Sequence, residues 1–389
     1  MAPDRAARKP KLLFLVTEDW YFCSHRLPIA RAARDAGFDI TVATRVTDHG
    51  ETIRAEGFAL IPLSMKRANG NPWREIVSLM EIVRVYRRLR PDILHHVAVK
   101  PALLGSLAAR LVGIPRMVNA IAGLGYVFSS NAITARILRP IISIGFRTLL
   151  NGPLSWVITQ NPDDQKLMVE RRLVTPDRMS LIKGSGVDLA HYHPGQSRDA
   201  DQPLVAAHVS RMIWDKGVGV TVEAARILKA RGVALKIVLA GRPDSDNPAS
   251  ISEQQLRAWH DEGIVEWLGF CDDVAGLWGR CQIAVLPSWY GEGVPKSLLE
   301  AAACGRPIVT VDGPGLREVV QDGTTGILIP PRDATALADA LQRLAEDESL
   351  RHRLGQAARA LAENEFGEAM VIRQTLALYE TLLKAGHRG

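Results

Sequence analysis

The chain has 389 residues, 47% of them hydrophobic and 23% charged; that length exceeds what one hydrophobic core usually serves and predicts two domains. Its four cysteines, Cys23, Cys271, Cys281 and Cys304, lack CxxC spacing, which argues against a disulfide framework or a zinc site and for a reducing compartment. The net charge of +6 hides an asymmetry: 27 Lys and Arg against 16 Asp and Glu through residue 190 make +11, and 21 against 26 in the remainder make −5.

A basic half calls for an anionic partner: nucleic acid, a phosphorylated ligand or anionic lipid. No helix-turn-helix, zinc-finger, RRM or KH signature accompanies the charge, so nucleic acid is not expected. The N-terminal MAPDRAARKPK has no apolar stretch of the kind a secretory signal needs, and no run approaches a membrane span. The expected location is cytoplasmic, peripheral to a membrane.

In chain order, KLLFLVT (11–17) reads as a buried strand, 27–37 as a helix ended by Gly37, and DITVAT (39–44) as the next strand. FALIPLS, a helix over about 72–90, DILHHV (92–97), a helix over 101–112 and RMVNAI continue the alternation. WVITQN (156–161) and MSLIKGS (179–185) extend the same sheet. Strands separated by helices of this length imply βαβ units and a parallel sheet. KGSGVDLAHYHPG (183–195) breaks the period with Gly, Asp and Pro and marks a domain boundary. Alternation restarts with PLVAAHVS, a helix at 216–231, LKIVLAG, a helix near 252–262, IVEWLGF, IAVLPS, a helix at 295–304, RPIVTVD and GILIPP. Helical material over about 334–384 closes the chain. The expected fold is α/β with two Rossmann-like lobes, residues 1–190 and 191–365, followed by a final helical segment, 366–389. Ligands of such sheets bind beyond the carboxyl ends of the strands, so the functional loops of both lobes should face a cleft.

LPSWYGEGVPKSLLEAAACGRPIV (286–309) carries the most chemistry. A strand ends at Ser288, a loop with Gly291 and Gly293 follows, and Pro295 is expected to open a helix. That leaves the amides of Lys296, Ser297 and Leu298 at the positive end of the helix dipole, a site suited to a diphosphate. Glu292 and Glu300, with seven residues between them, bracket the helix start and can accept hydrogen bonds from sugar hydroxyls, Glu300 from a ribose and Glu292 from a transferred hexose. A capped surface helix with solvated glutamates would show the same spacing. In VSRMIWDKGV (209–218), Arg211 and Lys216 sit in a strand-to-helix loop where two cations can neutralise a diphosphate leaving group; an ordinary basic loop is the alternative.

The order VSRMIWDKG, LAGRPD, VEWLGF and YGEGVPKSLLEAAACGRPIV resembles the family-four retaining GT-B glycosyltransferases. The resemblance covers essentially the whole chain and is densest over about 184–330. WYFCSHRLPIA, KPALLG, IAGLGYVF, ITQNPDD and GSGVD resemble the subgroup that builds O-antigens, capsules and N-glycan precursors on polyprenyl-diphosphate carriers in bacteria. The resemblance implies that Arg211 and Lys216 bind the donor diphosphate, and that Glu292 and Glu300 bind donor sugar and ribose. It implies that backbone near Leu268, Gly269 and Phe270 holds the base, and that amides from Gly293 through Val294, Pro295, Lys296 and Ser297 to Leu298 take sugar and phosphate oxygens. No metal and no cofactor is expected. The partners would be a UDP- or GDP-sugar donor, a polyprenyl-diphosphate-linked saccharide acceptor and an anionic membrane surface met by the basic N-terminal lobe. Many family members carry a glycine-rich loop after the first strand, where this chain has TEDWYFCSHR (17–26). His25, Arg26, Gly123 and Gly125 become local candidates for the first lobe's part of the cleft.

Other signals are weaker. His95 and His96 end a strand and face opposite sides, so at most one is expected to be functional. Lys100 is placed to meet an acceptor phosphate or to be an ordinary surface lysine. Asp244–Ser245–Asp246 is a literal DxD, but its polar, Pro-flanked setting reads as a turn. GLG in IAGLGY is an incomplete dinucleotide fingerprint, which argues against an oxidoreductase. Residues 133–156 mix Ile, Leu and Phe with Arg136, Arg139 and Arg147, as a helix lying in a membrane interface would. The rival readings are a nucleotide-sugar epimerase or hydrolase of the same fold and a binding protein with dead chemistry.

Overall fold

The computed structural model describes residues 8–67, 71–124, 128, 133–195, 203–289, 291 and 293–385. They fall into two compact units: one runs to Lys183 and resumes at Ala369, and the other is Gly184–Glu368.

The first unit is built on a seven-stranded sheet in the order β3-β2-β1-β4-β5-β6-β7, with every pairing parallel. Its strands are β1 Lys11–Glu18, β2 Asp39–Arg45, β3 Ala59–Pro62, β4 Ile93–Val97, β5 Met117–Ile121, β6 Ser155–Thr159 and β7 Met179–Leu181. The helices are α1 Asp19–His25, α2 Leu27–Asp35, α3 Gly50–Ala55, α4 Pro72–Leu89, α5 Val99–Val112, α6 Ile133–Leu149 and α7 Pro162–Glu170. Strands β4 and β5 are buried at every position, as a parallel sheet covered on both faces requires.

That coverage settles the two histidines. His95 stacks on Phe14 with ring centroids 5.0 Å apart, and its Nδ1 pairs with the hydroxyl of Tyr379 on the chain's last helix, Glu368–Ala385. His96, on the other face, pairs Nε2 with the Tyr86 hydroxyl at 2.9 Å and Nδ1 with Asn119 Oδ1 at 2.8 Å. Asn119 also accepts from Ser106 and donates to Ser155. Burial lowers the pKa of both rings, that of His96 to about 4 although Asn119 opposes the shift. Both are therefore neutral core groups, where the sequence allowed at most one of the pair a functional role.

The second unit carries a six-stranded parallel sheet in the order β10-β9-β8-β11-β12-β13. Its strands are β8 Leu204–Val209, β9 Leu235–Ala240, β10 Glu266–Trp267, β11 Ile283–Leu286, β12 Ile308–Val311 and β13 Gly326–Ile329. Its helices are α8 Val218–Ala230, α9 Glu253–Asp261, α10 Val274–Arg280, α11 Lys296–Ala303, α12 Ala334–Glu346 and α13 Glu348–Glu365, and α14 is the last helix already given. The chain winds outward from β8 to β10 and then returns to place β11 on the other side of β8. The strand order reverses at that point, where the sheet opens toward a ligand.

The break between units falls at Lys183/Gly184 and Glu368/Ala369, against an expected 190/191 and 365/366. Backbone pairing draws the line: the Val187 amide donates to Phe366 O at 2.9 Å and the Glu368 amide to Val187 O at 3.0 Å. A Cβ on Gly186, whose φ is 82°, would lie 2.7 Å from the Glu368 Cα, so only glycine allows the two segments to run this close.

One carboxylate in the first unit titrates where stability can be read. Asp164, in the first turn of α7, accepts from Asn161 Nδ2 at 2.8 Å while its amide donates to Asn161 Oδ1 at 2.7 Å. Burial pushes its pKa up to about 6 against the lowering effect of hydrogen bonds from Asn161 and the Leu124 amide. Because the folded-state value lies above the unfolded one, the native state loses stability as pH rises from about 4 through about 6. Asp164→Asn should escape that loss, with a stability gain near pH 8 of at most about 3 kcal/mol that vanishes toward pH 4. Denaturation midpoints of the two proteins across this range check it; parallel profiles would refute it.

Candidate functional site

The site is assembled from the loops that follow β8, β9, β10 and β11, at the carboxyl end of the second sheet. After β8 the chain forms a 3-10 turn, Trp214–Lys216, closed by Gly217 at φ 78°. A Cβ at position 217 would come 2.2 Å from the Pro287 carbonyl oxygen. The Trp289 amide and the Ser288 hydroxyl donate to Asp215 O at 3.1 and 3.3 Å. The turn that carries Lys216 is thereby stitched to the loop that leads into α11. Lys216 is buried; burial of His208, together with the Lys216 charge, pushes the pKa of that histidine down to about 3.

Pro295 is the cap of α11, with φ −64° and ψ 125°, and Lys296 is its first residue. This differs by one position from the expected start, and it changes which amides precede the helix's own bonds. The Leu298 and Leu299 amides donate to Pro295 O at 3.1 and 3.3 Å, so Leu298 is engaged inside the helix. The amides of Lys296 and Ser297 precede the first intrahelical bond and lie at the dipole's positive end. Val294 is buried beneath this turn, beside Gly293. Glu292 and Gly125, both site candidates, lie outside the described residues.

Glu300 is buried one turn further along α11. Burial raises its pKa, opposed first by the charge of Lys296, whose Nζ is 4.0 Å away, and then by Tyr192 and Trp278 beside it. The Trp278 indole N–H falls short of hydrogen-bond geometry. Tyr192 is held in place because Arg359 donates both to Tyr192 O at 2.8 Å and to the Ala303 carbonyl at the end of α11. Nothing in the spacing of Tyr192 or Arg359 announces that role.

Arg211 pairs with Asp244, the first residue of the DxD. The segment does turn, with the Asn247 amide donating to Asp244 O at 2.8 Å and the Asp244 amide to Ser250 Oγ at 2.9 Å. The turn reading captured that backbone but missed the carboxylate, which anchors a cation. Leu268, Gly269 and Phe270 follow β10. The Gly241 amide donates to Gly269 O at 2.7 Å, and the Arg242 guanidinium lies 4.4 Å over the exposed Phe270 ring. With Arg257 and Trp267 they line a concavity of about 740 Å³, whose aromatic rings offer a flat heterocycle a stacking surface.

In the first unit the candidates scatter. Arg26 is buried, donates to His25 O at 3.4 Å and leaves its Nε without a hydrogen bond; with His95 it belongs to the core. His25 is half-buried, stacked on Tyr21 at 4.1 Å and paired with Ser24 Oγ at 2.6 Å. Lys100 does not present a bare charge, since it donates to Glu75 and to Lys66 O, each at 2.6 Å. Gly123 takes φ 100° just after β5. The residues that organise this sheet end went unnoticed in the sequence: buried Glu18, with Arg45 and Arg67 within 3.4 and 3.6 Å, and buried Asp19. Burial would raise the Asp19 pKa, but hydrogen bonds from the Thr47 hydroxyl and the Thr47, His49 and Trp20 amides hold it below the usual carboxylate value. A Glu-Asp pair at a strand end was the available signal.

Two parallel sheets, with cations and a helix start gathered where one of them reverses its strand order, define a glycosyltransferase of the GT-B fold. Residues 11–150 match the family described as glycosyl transferase 4-like, and residues 203–347 the family of group 1 glycosyl transferases. The chain belongs to the group 1 glycosyltransferases. It is 27% identical, over 92% of its length and 95% of the relative's, to the N,N'-diacetylbacillosaminyl-diphospho-undecaprenol alpha-1,3-N-acetylgalactosaminyltransferase of Campylobacter jejuni. It is 20% identical to the capsular polysaccharide biosynthesis glycosyltransferase CapM of Staphylococcus aureus, over 80% of this chain and 82% of that one. Among solved structures it resembles Anabaena HepE in complex with UDP and glucose, with TM-score 0.77 and 18% identity over 95% of this chain and 99% of that one.

The Arg211–Asp244 pair has a testable consequence. Asp244→Asn keeps a hydrogen-bond acceptor but removes the charge that orients the guanidinium, and should lower the rate of sugar transfer about tenfold by misplacing it. An unchanged kcat would show that Arg211 needs no such anchor.

Proposed function

We propose that this chain moves a hexose or N-acetylhexosamine from a UDP- or GDP-sugar to a polyprenyl-diphosphate-linked saccharide, with retention of anomeric configuration, at the cytoplasmic face of a bacterial membrane. The observation that carries the reading is the lock between the Lys216 turn and the loop entering α11, where the Asp215 carbonyl receives bonds from Ser288 and Trp289. A buried ammonium and the first amides of a helix are thereby set on adjoining loops, an arrangement suited to a diphosphate. Leu268–Phe270 offers a place for the base, and Glu300 a carboxylate for ribose hydroxyls. The acceptor class is supported by the diphospho-undecaprenol-linked sugar in the name of the Campylobacter relative.

In the proposed reaction the acceptor hydroxyl oxygen bonds to the anomeric carbon on the face from which the diphosphate departs. The carbon–oxygen bond to the diphosphate breaks, and the hydroxyl proton passes to a leaving phosphate oxygen. Such a step needs placement and charge stabilisation more than an enzymic base. Lys216 and Arg211 take up the charge that develops on the nucleoside diphosphate.

Three measurements test this. A panel of nucleotide sugars, assayed for nucleotide release with and without a polyprenyl-diphosphate-sugar, should show acceptor-dependent release and an α-linked product. Release that ignores the acceptor would favour the hydrolase or epimerase. Lys216→Ala should cost about 2–4 kcal/mol of barrier stabilisation, read as kcat with donor saturating; full turnover would remove Lys216 from the site. Glu300→Ala should chiefly weaken donor binding in calorimetry, and wild-type affinity would contradict the ribose assignment.

A further inference from the structure

Among the described residues, the large apolar side chains left exposed in the first unit gather on neighbouring helices. Helix α4 already buries Ser78, Ile82, Val85 and Tyr86 against the sheet, yet Trp73, Ile76, Val77 and Met80 point to solvent, with Trp73 75% exposed. Their spacing of three, four and seven residues makes one stripe. Helix α6 repeats the pattern with Ile137, Leu138, Ile141 and Ile144, and Ile137 and Ile141 are each 61% exposed. Helix α5 packs between α4 and α6. A soluble surface rarely leaves so many large apolar side chains exposed on neighbouring helices without a partner.

The charges around these stripes have one sign. On α4 the outward row continues into exposed Arg84, Arg87 and Arg88, while its two acids are occupied: Glu75 pairs with Lys100, and Glu81 accepts from the Ser64 amide and hydroxyl, each at 2.9 Å. Helix α6 contains Arg136, Arg139 and Arg147 and no acid. Apolar stripes flanked by arginines, with a tryptophan at the start of one helix, are what a bilayer interface selects: acyl boundary for the stripes, lipid phosphate for the guanidinium groups. A second copy of the chain on the same face would set arginine against arginine.

We infer that the outer faces of α4 and α6 form a membrane-docking surface for anionic phospholipid. This rests on the proposed function only in that a lipid-linked acceptor must be met at a bilayer.

The test is sedimentation of the full chain with phosphatidylcholine vesicles, with and without phosphatidylglycerol. The wild type should bind the anionic vesicles, and added salt should weaken binding. Ile137→Glu with Ile141→Glu, and separately Trp73→Glu with Ile76→Glu, should each reduce partitioning at least about tenfold. All four positions are exposed, so the thermal midpoint and the affinity for UDP should stay at wild-type values. Undiminished vesicle binding by both variants, or no preference for the anionic lipid, would overturn the inference. So would a concentration-dependent dimer that the same substitutions dissolve, which would give the face to a second copy. Vesicle binding without sugar transfer would leave the docking surface standing and reject the proposed reaction instead.

Discussion

The site in the second unit depends on how closely two backbones pass. Gly217 lies so near Pro287 that any side chain at 217 would overlap the proline carbonyl, and its φ of 78° is one that L residues rarely take. Because of that approach, the Asp215 carbonyl can receive bonds from both Ser288 and Trp289. The loops after β8 and β11 are neighbours only because the winding reverses between these strands. Topology brings them together, glycine lets them touch, and two polar contacts hold them. Lys216 then has a fixed place relative to the helix start at Lys296, although eighty residues separate the two in sequence.

Elsewhere the cations are placed by buried or half-buried acids. Asp244 holds Arg211, Glu75 holds Lys100, and Glu18 lies between Arg45 and Arg67. Long basic side chains lose considerable rotamer freedom when ordered, so an acid that orders one in advance lowers the cost of meeting a ligand. It also reduces the field that the cation presents. The basic half of this chain is thus less basic at its strand ends than its composition implies, while α4 and α6 carry exposed arginines on their outer faces.

Fold class was legible because it rests on hydrophobic period. The strands starting at Lys11, Asp39, Leu235 and Ile283, and the long helix from Pro72, appear within a residue or two of where apolar runs and caps put them. Short helices escaped: Gly50–Ala55, Pro162–Glu170 and Val274–Arg280 span two turns or so and carry too few apolar positions for a period to register. In the candidate site, residues with a local signature could be nominated: Lys216 before a glycine, Pro295 at a helix start, Glu300 in a spaced pair. Residues that act through tertiary contact were not. Asp244 meets Arg211 across 33 residues and Arg359 meets Tyr192 across 167, and no local pattern encodes either. The covered setting of the paired histidines was unreadable for a related reason, since alternation tells that they face opposite ways but not that both faces are covered.

His208 is held by a hydrogen bond at each ring nitrogen. Its Nδ1 is 2.9 Å from Thr221 Oγ1 and its Nε2 is 3.0 Å from Ser210 Oγ. Both hydroxyls also reach carbonyls, Thr221 to Gly217 O at 3.2 Å and Ser210 to Arg211 O at 2.9 Å. If both gave their hydrogens to those carbonyls, the ring would have to donate from both nitrogens and so be an imidazolium. Burial and the neighbouring Lys216 charge forbid that, since they hold the pKa at about 3. One hydroxyl therefore turns its hydrogen to the ring, and the neutral imidazole accepts at one nitrogen and donates from the other. A neutral histidine thereby links the helix behind Lys216 to the backbone of Arg211, and it adds no second positive charge beside the lysine that the diphosphate is proposed to meet.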